Sequence, residues 1–398
     1  MIRTVSARHG PVYISRGDTM QVKLEGADTG GDYTLIEETI KPSFGAALEL
    51  HRRHRETYYV IDGEITFTVG SRSVRATPGM AIHVPPNTPH AAQSDRVSRM
   101  LTVISPAGLE GALKAFAALT PAEAQDPSVG QAILDEYDIV ELAQPPFPAL
   151  LGFYDSLAAG DATALREIFA GHPGIDAPLE GRIRGEAALA EFVRAQQDWL
   201  SAYRARPEFV DVTSSPERII VEFVLYMNKD DETFDLPVAL AADLAAEAVS
   251  AIRMYHSTWP LTGAHRVRAP LLPPPGIKLD EPAVVQAYMA GLQEGNQHFV
   301  FSLFAGDGYV REPSGSRFKH MGAGGLARFY GSALGAGGIV LHHRTATCDA
   351  HACAVEYVCD EWANVALSPQ AGLAVYEVAG PAKIRAARIY DDIAPPFD

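Results

Sequence analysis

Two stretches, GAALELHRRHRETYYVIDGEITF over Gly45–Phe67 and RATPGMAIHVPPNTPHAAQ over Arg75–Gln93, decide how the first part of this chain is read. Both alternate apolar and polar residues and break at Gly, Pro and Asn, the pattern of short half-buried strands. The same texture runs outward through YTLIEETI, which begins at Tyr33, to SRMLTVIS, which ends at Ser105. Residues from Tyr33 to about Ile104 therefore predict an all-β sandwich or barrel.

The two stretches resemble the paired conserved segments of the cupin superfamily. In that family a His-x-His pair, a Glu, six residues and a Gly form the first segment, and a Pro-Gly followed later by a His forms the second. Here Glu56 and Gly63 keep the six-residue gap, His51 precedes Glu56 by five positions, and Pro78, Gly79 and His90 supply the second segment. The resemblance covers roughly the first quarter of the chain and implies a jelly-roll barrel with metal ligands Glu49, His51, Glu56 and His90. Glu49 stands where the family has its leading His. Residues two apart on a strand face one side, so Glu49 and His51 can both point inward. Two imidazoles and two carboxylates suit a divalent ion such as Fe(II), Mn(II), Ni(II) or Zn(II); the alternative is a metal-free cavity that binds a ligand. His54 and His83 read as surface or packing residues, with His54 the substitute ligand, and Arg52, Arg53 and Arg55 read as a solvated charge run.

At 398 residues the chain is too long for one core. Its 47% hydrophobic and 21% charged residues are globular values, and a formal net charge of -16 disfavours nucleic acid and anionic membranes as partners. No apolar run is long enough to span a bilayer, so a soluble, cytoplasmic protein is expected. Three cysteines, Cys348, Cys353 and Cys359, lack a C-x-x-C spacing and read as buried free thiols. No phosphate loop or Rossmann fingerprint is present, so nucleotide cofactors are not expected.

After Pro106 the sequence turns helical, and Thr120-Pro121 reads as a helix cap with proline at the first helical position. A second unit then runs helices first and strands second, and a proline-rich connector leads to what reads as a copy of it. Phe169-Ala170-Gly171 returns as Phe304-Ala305-Gly306, an offset of 304 minus 169, or 135, at which Ile175 meets Val310 and Pro178 meets Pro313. The expected organisation is 1–110 β-barrel, 111–147 helical extension or linker, 148–262 and 281–398 two α+β units, and 263–280 the connector.

Three helices followed by a curved sheet, with FYDSLAAGD early and GEAALAEFV as the third helix, resemble the nuclear transport factor 2 superfamily, which includes ketosteroid isomerases and SnoaL-like polyketide cyclases. That resemblance implies two cone-shaped α+β domains, with Asp176 and Glu312 as candidate bases and Tyr154 and Tyr288 as hydrogen-bond donors. At the repeat offset Asp176 meets Arg311 and not Glu312, so at least one carboxylate is out of place. His256 is replaced by Asp391 in the second copy; the two would make a good acid–base pair in one pocket but belong to different copies. The favoured function is a metal-dependent enzyme that oxygenates, isomerises or cyclises a small cyclic or polyketide-like molecule. The alternatives are metal-free isomerase or cyclase chemistry in a SnoaL-like pocket, and a non-catalytic small-molecule-binding protein. Both resembled folds commonly self-associate through sheet faces, which makes a homodimer the expected assembly.

Overall fold

The computed structural model describes residues 4–6, 9–15, 17–43, 45–70, 72–229 and 232–396, and separates into two compact units, 1–148 and 149–398.

The first unit is built from two antiparallel sheets. One has six strands in the order Val12–Ser15, Asp18–Leu24, Thr34–Ile40, Ser98–Ser105, Arg55–Asp62 and Ala81–Val84; the other has five, Val140–Glu141, Glu49–Leu50, His90–Gln93, Ile65–Val69 and Arg72–Ala76. Strand Thr34–Ile40 shows why the sequence folds so: Thr34, Ile36, Glu38 and Ile40 are buried while Leu35, Glu37 and Thr39 are half exposed. Ile40, Tyr58, Val60, Val84 and Met100 of one sheet pack against Ile65, Phe67, Ala76 and Ala92 of the other in a single core.

The expected closed barrel is corrected to a sandwich, because neither sheet closes on itself among the described residues. The chain changes sheets at Gly63, whose φ of +83° suits glycine and where a Cβ would lie 2.1 Å from Ser98 Oγ. The ladder of Arg55–Asp62 stops there and is not carried round.

The helical extension belongs to this unit. Helices Glu110–Ala118 and Pro127–Glu136 lead to strand Val140–Glu141, which pairs with Glu49–Leu50, and the Leu142 amide donates to Leu48 O at 2.7 Å. Thr120 caps the short turn Glu123–Gln125 as expected, its Oγ1 accepting from the Glu123 amide while the Glu123 carboxylate accepts from the Thr120 amide, and a second cap at Asp126-Pro127, where Asp126 accepts from the Ser128 amide, starts the longer helix.

Two halves of the same topology make up the second unit. Helices Phe153–Ala159, Ala162–Glu167 and Glu186–Ala202 accompany the strand order Gly181–Arg184, Gly174–Ala177, Ala248–Tyr255, Glu232–Ala245, Arg218–Lys229, Arg206–Ser215. In the second half, helices Ala283–Gln293, Gln297–Ser302 and Gly322–Ala333 accompany Lys319–Met321, Phe304–Arg311, Ile384–Tyr390, Val365–Val378, Ala352–Trp362, Ile339–Cys348. A short hairpin precedes the third helix in each, which corrects the expectation of helices first and strands second. The parallel ladders pair Ile175 with Ile252 and Val310 with Ala387, so the offset of 135 holds in the strand register. It also places Gly160 and Gly295 in equivalent left-handed turns, each followed by a helix-capping Asp161 or Asn296.

The halves meet through their sheets. Ile220, Ala239, Ala241 and Tyr255 pack on Ala352, Ala354, Ala371, Leu373, Val375 and Tyr390, and the alanines allow close approach. Buried charge crosses this layer twice. Arg253 binds Glu356 at 2.5 and 2.9 Å with Tyr255 OH at 2.7 Å, and the equivalent Arg388 binds Glu222 at 2.7 and 2.7 Å with Tyr390 OH at 2.6 Å. Arg311 stacks over Tyr390 and donates to Ile389 O; in the first half, where that position is Asp176, Arg268 of the proline-rich connector stacks over Tyr255 and donates to Met254 O. These two sheet faces thus cover each other within the chain.

Cys348 and Cys353 oppose one another across a hairpin and form a disulfide, while Cys359 is a buried free thiol; the expectation of three free thiols missed the pair because the register was not read. Among the described residues, no helix is long and apolar enough to cross a membrane.

Candidate metal centre

In the first unit the register of the five-stranded sheet places Glu49 directly opposite His90. His51 follows Glu49 by two residues and leaves the strand on the same side, and Glu56 comes from the six-stranded sheet facing them. Ligand atoms of Glu49, His51 and His90 all lie within 4.8 Å of one another, the only such group of three or more among the described residues. His51 Nε2 is 3.9 Å from Glu49 Oε1 and 3.8 Å from Glu56 Oε1, and His90 Nε2 is 2.8 Å from Glu56 Oε2. Two ligands about 2.1 Å from a common ion stand roughly 3 to 4.2 Å apart, so the spacing fits a first-row divalent ion with small side-chain adjustments.

Main-chain carbonyls orient both imidazoles. His51 Nδ1 donates to Asp138 O at 3.3 Å and His90 Nδ1 to Thr88 O at 2.9 Å. A carbonyl only accepts, so each Nδ1 carries the proton and each Nε2 is turned inward as the ligating nitrogen. Asp138, with φ of +62° and fully buried, also accepts from the Arg53 amide at 2.7 Å and lies 3.8 Å from His54 Nδ1. That contact pins the 51–54 loop, and the Arg53 side chain, exposed as expected, also reaches the Asp138 carboxylate at 3.3 Å. His83 faces outward onto Thr57.

In the centre as it stands, Glu56 and His90 pair as opposite charges. Burial resists ionisation of Glu56, but the facing His51 and His90 and the Tyr58 hydroxyl hold its carboxyl down to about 2. Burial likewise resists a charged His90, and Glu56 overcomes it, raising the imidazole to about 9. Tyr58 OH donates to Glu56, and burial together with that carboxylate pushes the phenol well above its ordinary range. Sequence reading did not single out Tyr58 or Asp138. Tyr58 had a signal, two residues beyond Glu56 on the same strand face; Asp138 had none, being brought back from beyond two helices.

The candidates in the second unit are more dispersed. Tyr154 and His256 line a cavity of about 10 Å³ with Glu180, Gln196 and Trp199, large enough for one water. Asp176 does not line it; Arg184 and Arg182 hold its carboxylate at 2.9 and 3.5 Å. The buried acid that does, Glu180, has its carboxyl raised by burial and accepts from Gln196 at 2.7 Å. Burial lowers His256 to about 4, and its Nδ1 donates to Ser257 O. Tyr288 shares a hydrogen bond of 2.9 Å with Tyr330, and Glu312 meets His320 at 2.5 Å, partly exposed. With Gly160 matched to Gly295, Tyr288 corresponds to Phe153 and Tyr154 to Met289, so the two tyrosines are not equivalent. His256 and Asp391, from different halves, both line a second cavity of about 10 Å³, with Arg266 and Arg268, while Asp391 accepts from Tyr357.

No curated protein matches the chain. Among solved structures it is similar to KdgF from Halomonas sp. (17% identity over 27% of this chain and 96% of that one, TM-score 0.25). It is also similar to a predicted oxalate decarboxylase from Thermotoga maritima (18%, 26% and 99%, 0.25). A third is an RmlC-like cupin from Shewanella frigidimarina (19%, 27% and 93%, 0.24). At these scores none of them carries an argument about chemistry. Residues 36–104 match the family model described as Cupin domain, and it is within that cupin domain that Glu49, His51 and His90 come together.

Proposed function

We propose that the first unit is a metal-dependent enzyme centre in which Glu49, His51, Glu56 and His90 hold one divalent ion and a small oxygen-bearing organic molecule is transformed beside it. The observation that supports this most is the pair of inward-facing Nε2 atoms, each fixed by a main-chain acceptor on its other nitrogen, converging with two carboxylates. A bound ion of this kind supplies a Lewis acid that polarises a carbonyl or hydroxyl oxygen. The protein's own residues do the rest: Tyr58 and His90 keep Glu56 ionised and fixed, Asp138 locks the 51–54 loop, and the apolar core of Tyr58, Val60, Phe67 and Met100 limits water.

Small cyclic or polyketide-like compounds are the substrate class we favour, converted by isomerisation, cyclisation or oxygenation. We also take the two halves of the second unit to be SnoaL-like domains of the nuclear transport factor 2 kind, a reading supported by their shared strand order and three-helix complement. Their water-sized cavities support a scaffolding or ligand-gating role over independent catalysis.

The experiment is metal titration of the stripped full-length chain with Mn(II), Fe(II), Ni(II) and Zn(II). One ion per chain, lost in His51→Ala and His90→Ala but kept in Asp176→Asn, is the expected result; equal binding by all four proteins, or none by the wild type, defeats the proposal.

A further inference from the structure

In the second half of the second unit, strand Phe304–Arg311 and the edge strand Lys319–Met321 form a hairpin whose register sets Arg311 directly opposite Lys319. Directly opposed residues of an antiparallel pair share a face, so two cations stand side by side, an arrangement that costs stability unless something negative lies with them. In the first half the corresponding hairpin sets Asp176 opposite Arg182, and Arg182 and Arg184 hold its carboxylate at 3.5 and 2.9 Å. The repeat offset of 135 puts Arg311 where Asp176 stands. The second half has therefore kept the cation of the hairpin, lost the carboxylate and gained a second cation.

Among the described residues neither Arg311 nor Lys319 forms an ion pair. Arg311 donates to Ile389 O at 3.2 Å and stacks over Tyr390, and the Lys319 ammonium lies 3.7 Å from the centroid of the Tyr309 ring. The neighbouring acids are engaged elsewhere: Glu222 and Asp211 by Arg388, Glu377 by Arg388 and Arg385, and Glu312 by His320. Arg311 is only 5% exposed, and its Nε has no acceptor among the described residues. Lys319 and Met321 are exposed on the edge strand, so a small molecule can reach the pair from that side. Partial burial, then Arg388 and Arg311, hold the Lys319 ammonium below its ordinary range, and Glu377 offsets this only in part.

We propose that Arg311 and Lys319 form a binding site for a small oxyanion, a carboxylate or phosphate group of a ligand, which takes the place that the Asp176 carboxylate fills in the first half. The guanidinium offers directed donors and the ammonium a point charge, a combination suited to such a group. Tyr309, two residues from Arg311 on the same face, holds the Lys319 ammonium between its ring and the anion. A chain with a formal net charge of -16 repels anions in general, so binding here depends on this local pair. The site is independent of the metal reading of the first unit.

The test is calorimetric unfolding of the metal-stripped full-length chain in inorganic phosphate or acetate, at fixed ionic strength so that general screening stays constant. A ligand at ten times its dissociation constant multiplies the folded population about elevenfold and should raise the transition of the second unit by about 3–6 °C. Lys319→Glu, at an exposed position that folding tolerates, puts a carboxylate opposite Arg311 as Asp176 stands opposite Arg182. It should unfold at a higher temperature than wild type without added anion and lose the response. Lys319→Met, which removes the charge without adding a carboxylate, should weaken binding about tenfold. A wild-type response to acetate assigns a carboxylate ligand and one to phosphate alone a phosphorylated one, and either supports the site when Lys319→Glu abolishes it. No response of the wild type to either anion, or an equal response in Lys319→Glu, overturns the assignment.

Discussion

Replacing Glu222 by Gln tests whether buried charge joins the halves of the second unit. Arg388 is 4% exposed and fully enclosed by Glu222 at 2.7 Å on two nitrogens, Asp211 at 3.3 Å and Glu377 at 3.2 Å. Removing one member of a buried pair costs about 3–5 kcal/mol, because the surviving charge stays out of water without its partner. Gln keeps the shape and one acceptor, and Asp211 and Glu377 remain, so the lower end, about 3 kcal/mol, is expected. For a unit of 250 residues at roughly 2–4 °C per kcal/mol, that is a fall in Tm of about 6–12 °C. Calorimetry of the full-length chain should show the drop in the transition of the second unit, with a similar one for Glu356→Gln, where Arg253 retains Asp243. The double variant Glu222→Gln/Arg388→Met should recover only part of the loss, since both charges of the pair are then gone but buried Asp211 loses Arg388. Shifts under about 1 °C in both single variants would refute the reasoning.

Burial raises Asp391 to about 6 although Tyr357 donates to it, so this group stabilises the fold when protonated and that contribution is lost as pH rises from the ordinary carboxylate range through 6. Asp391→Asn should therefore raise Tm relative to wild type at pH 7.5 and leave it unchanged at pH 4; an equal difference at both would contradict the assignment. Asp138→Ala frees the 51–54 loop and should weaken metal affinity about tenfold or more, measured by competition with a chelator dye, whereas unchanged affinity would show the anchor to be idle. In thermal unfolding, Gly63→Ala should cost the first unit about 2 kcal/mol or more, because it places a Cβ at positive φ and against Ser98 Oγ.

Much of this architecture was legible in the residues, for physical reasons that differ by element. Alternation and Gly/Pro breaks located the strands between Tyr33 and Ser105, since a half-buried strand leaves a period of two. The repeat offset of 135 was readable because core residues such as Ile175 and Val310 occupy equivalent ladder positions. Glu49, His51 and His90 were found through motif spacing, and their convergence needed only that strand parity and one cross-strand pair be right. What stayed hidden depended on long-range packing. Asp138 and Glu141 return through two helices to flank Glu49–Leu50, and Arg268 leaves the connector to supply the cation that Arg311 supplies in the other half. Glu38 occupied an inward phase of YTLIEETI and could have been marked as a buried acid. Asp176 could not be placed beside Arg182 and Arg184 without the hairpin register.

X-ray absorption at the zinc edge of the Zn(II)-loaded full-length chain bears most directly on the centre. The arrangement predicts two imidazole nitrogens and carboxylate oxygens at about 2.0–2.2 Å, with one nitrogen lost in His51→Ala and one in His90→Ala. A first shell without imidazole, or one unaltered in both variants, would place the ion elsewhere and contradict the account.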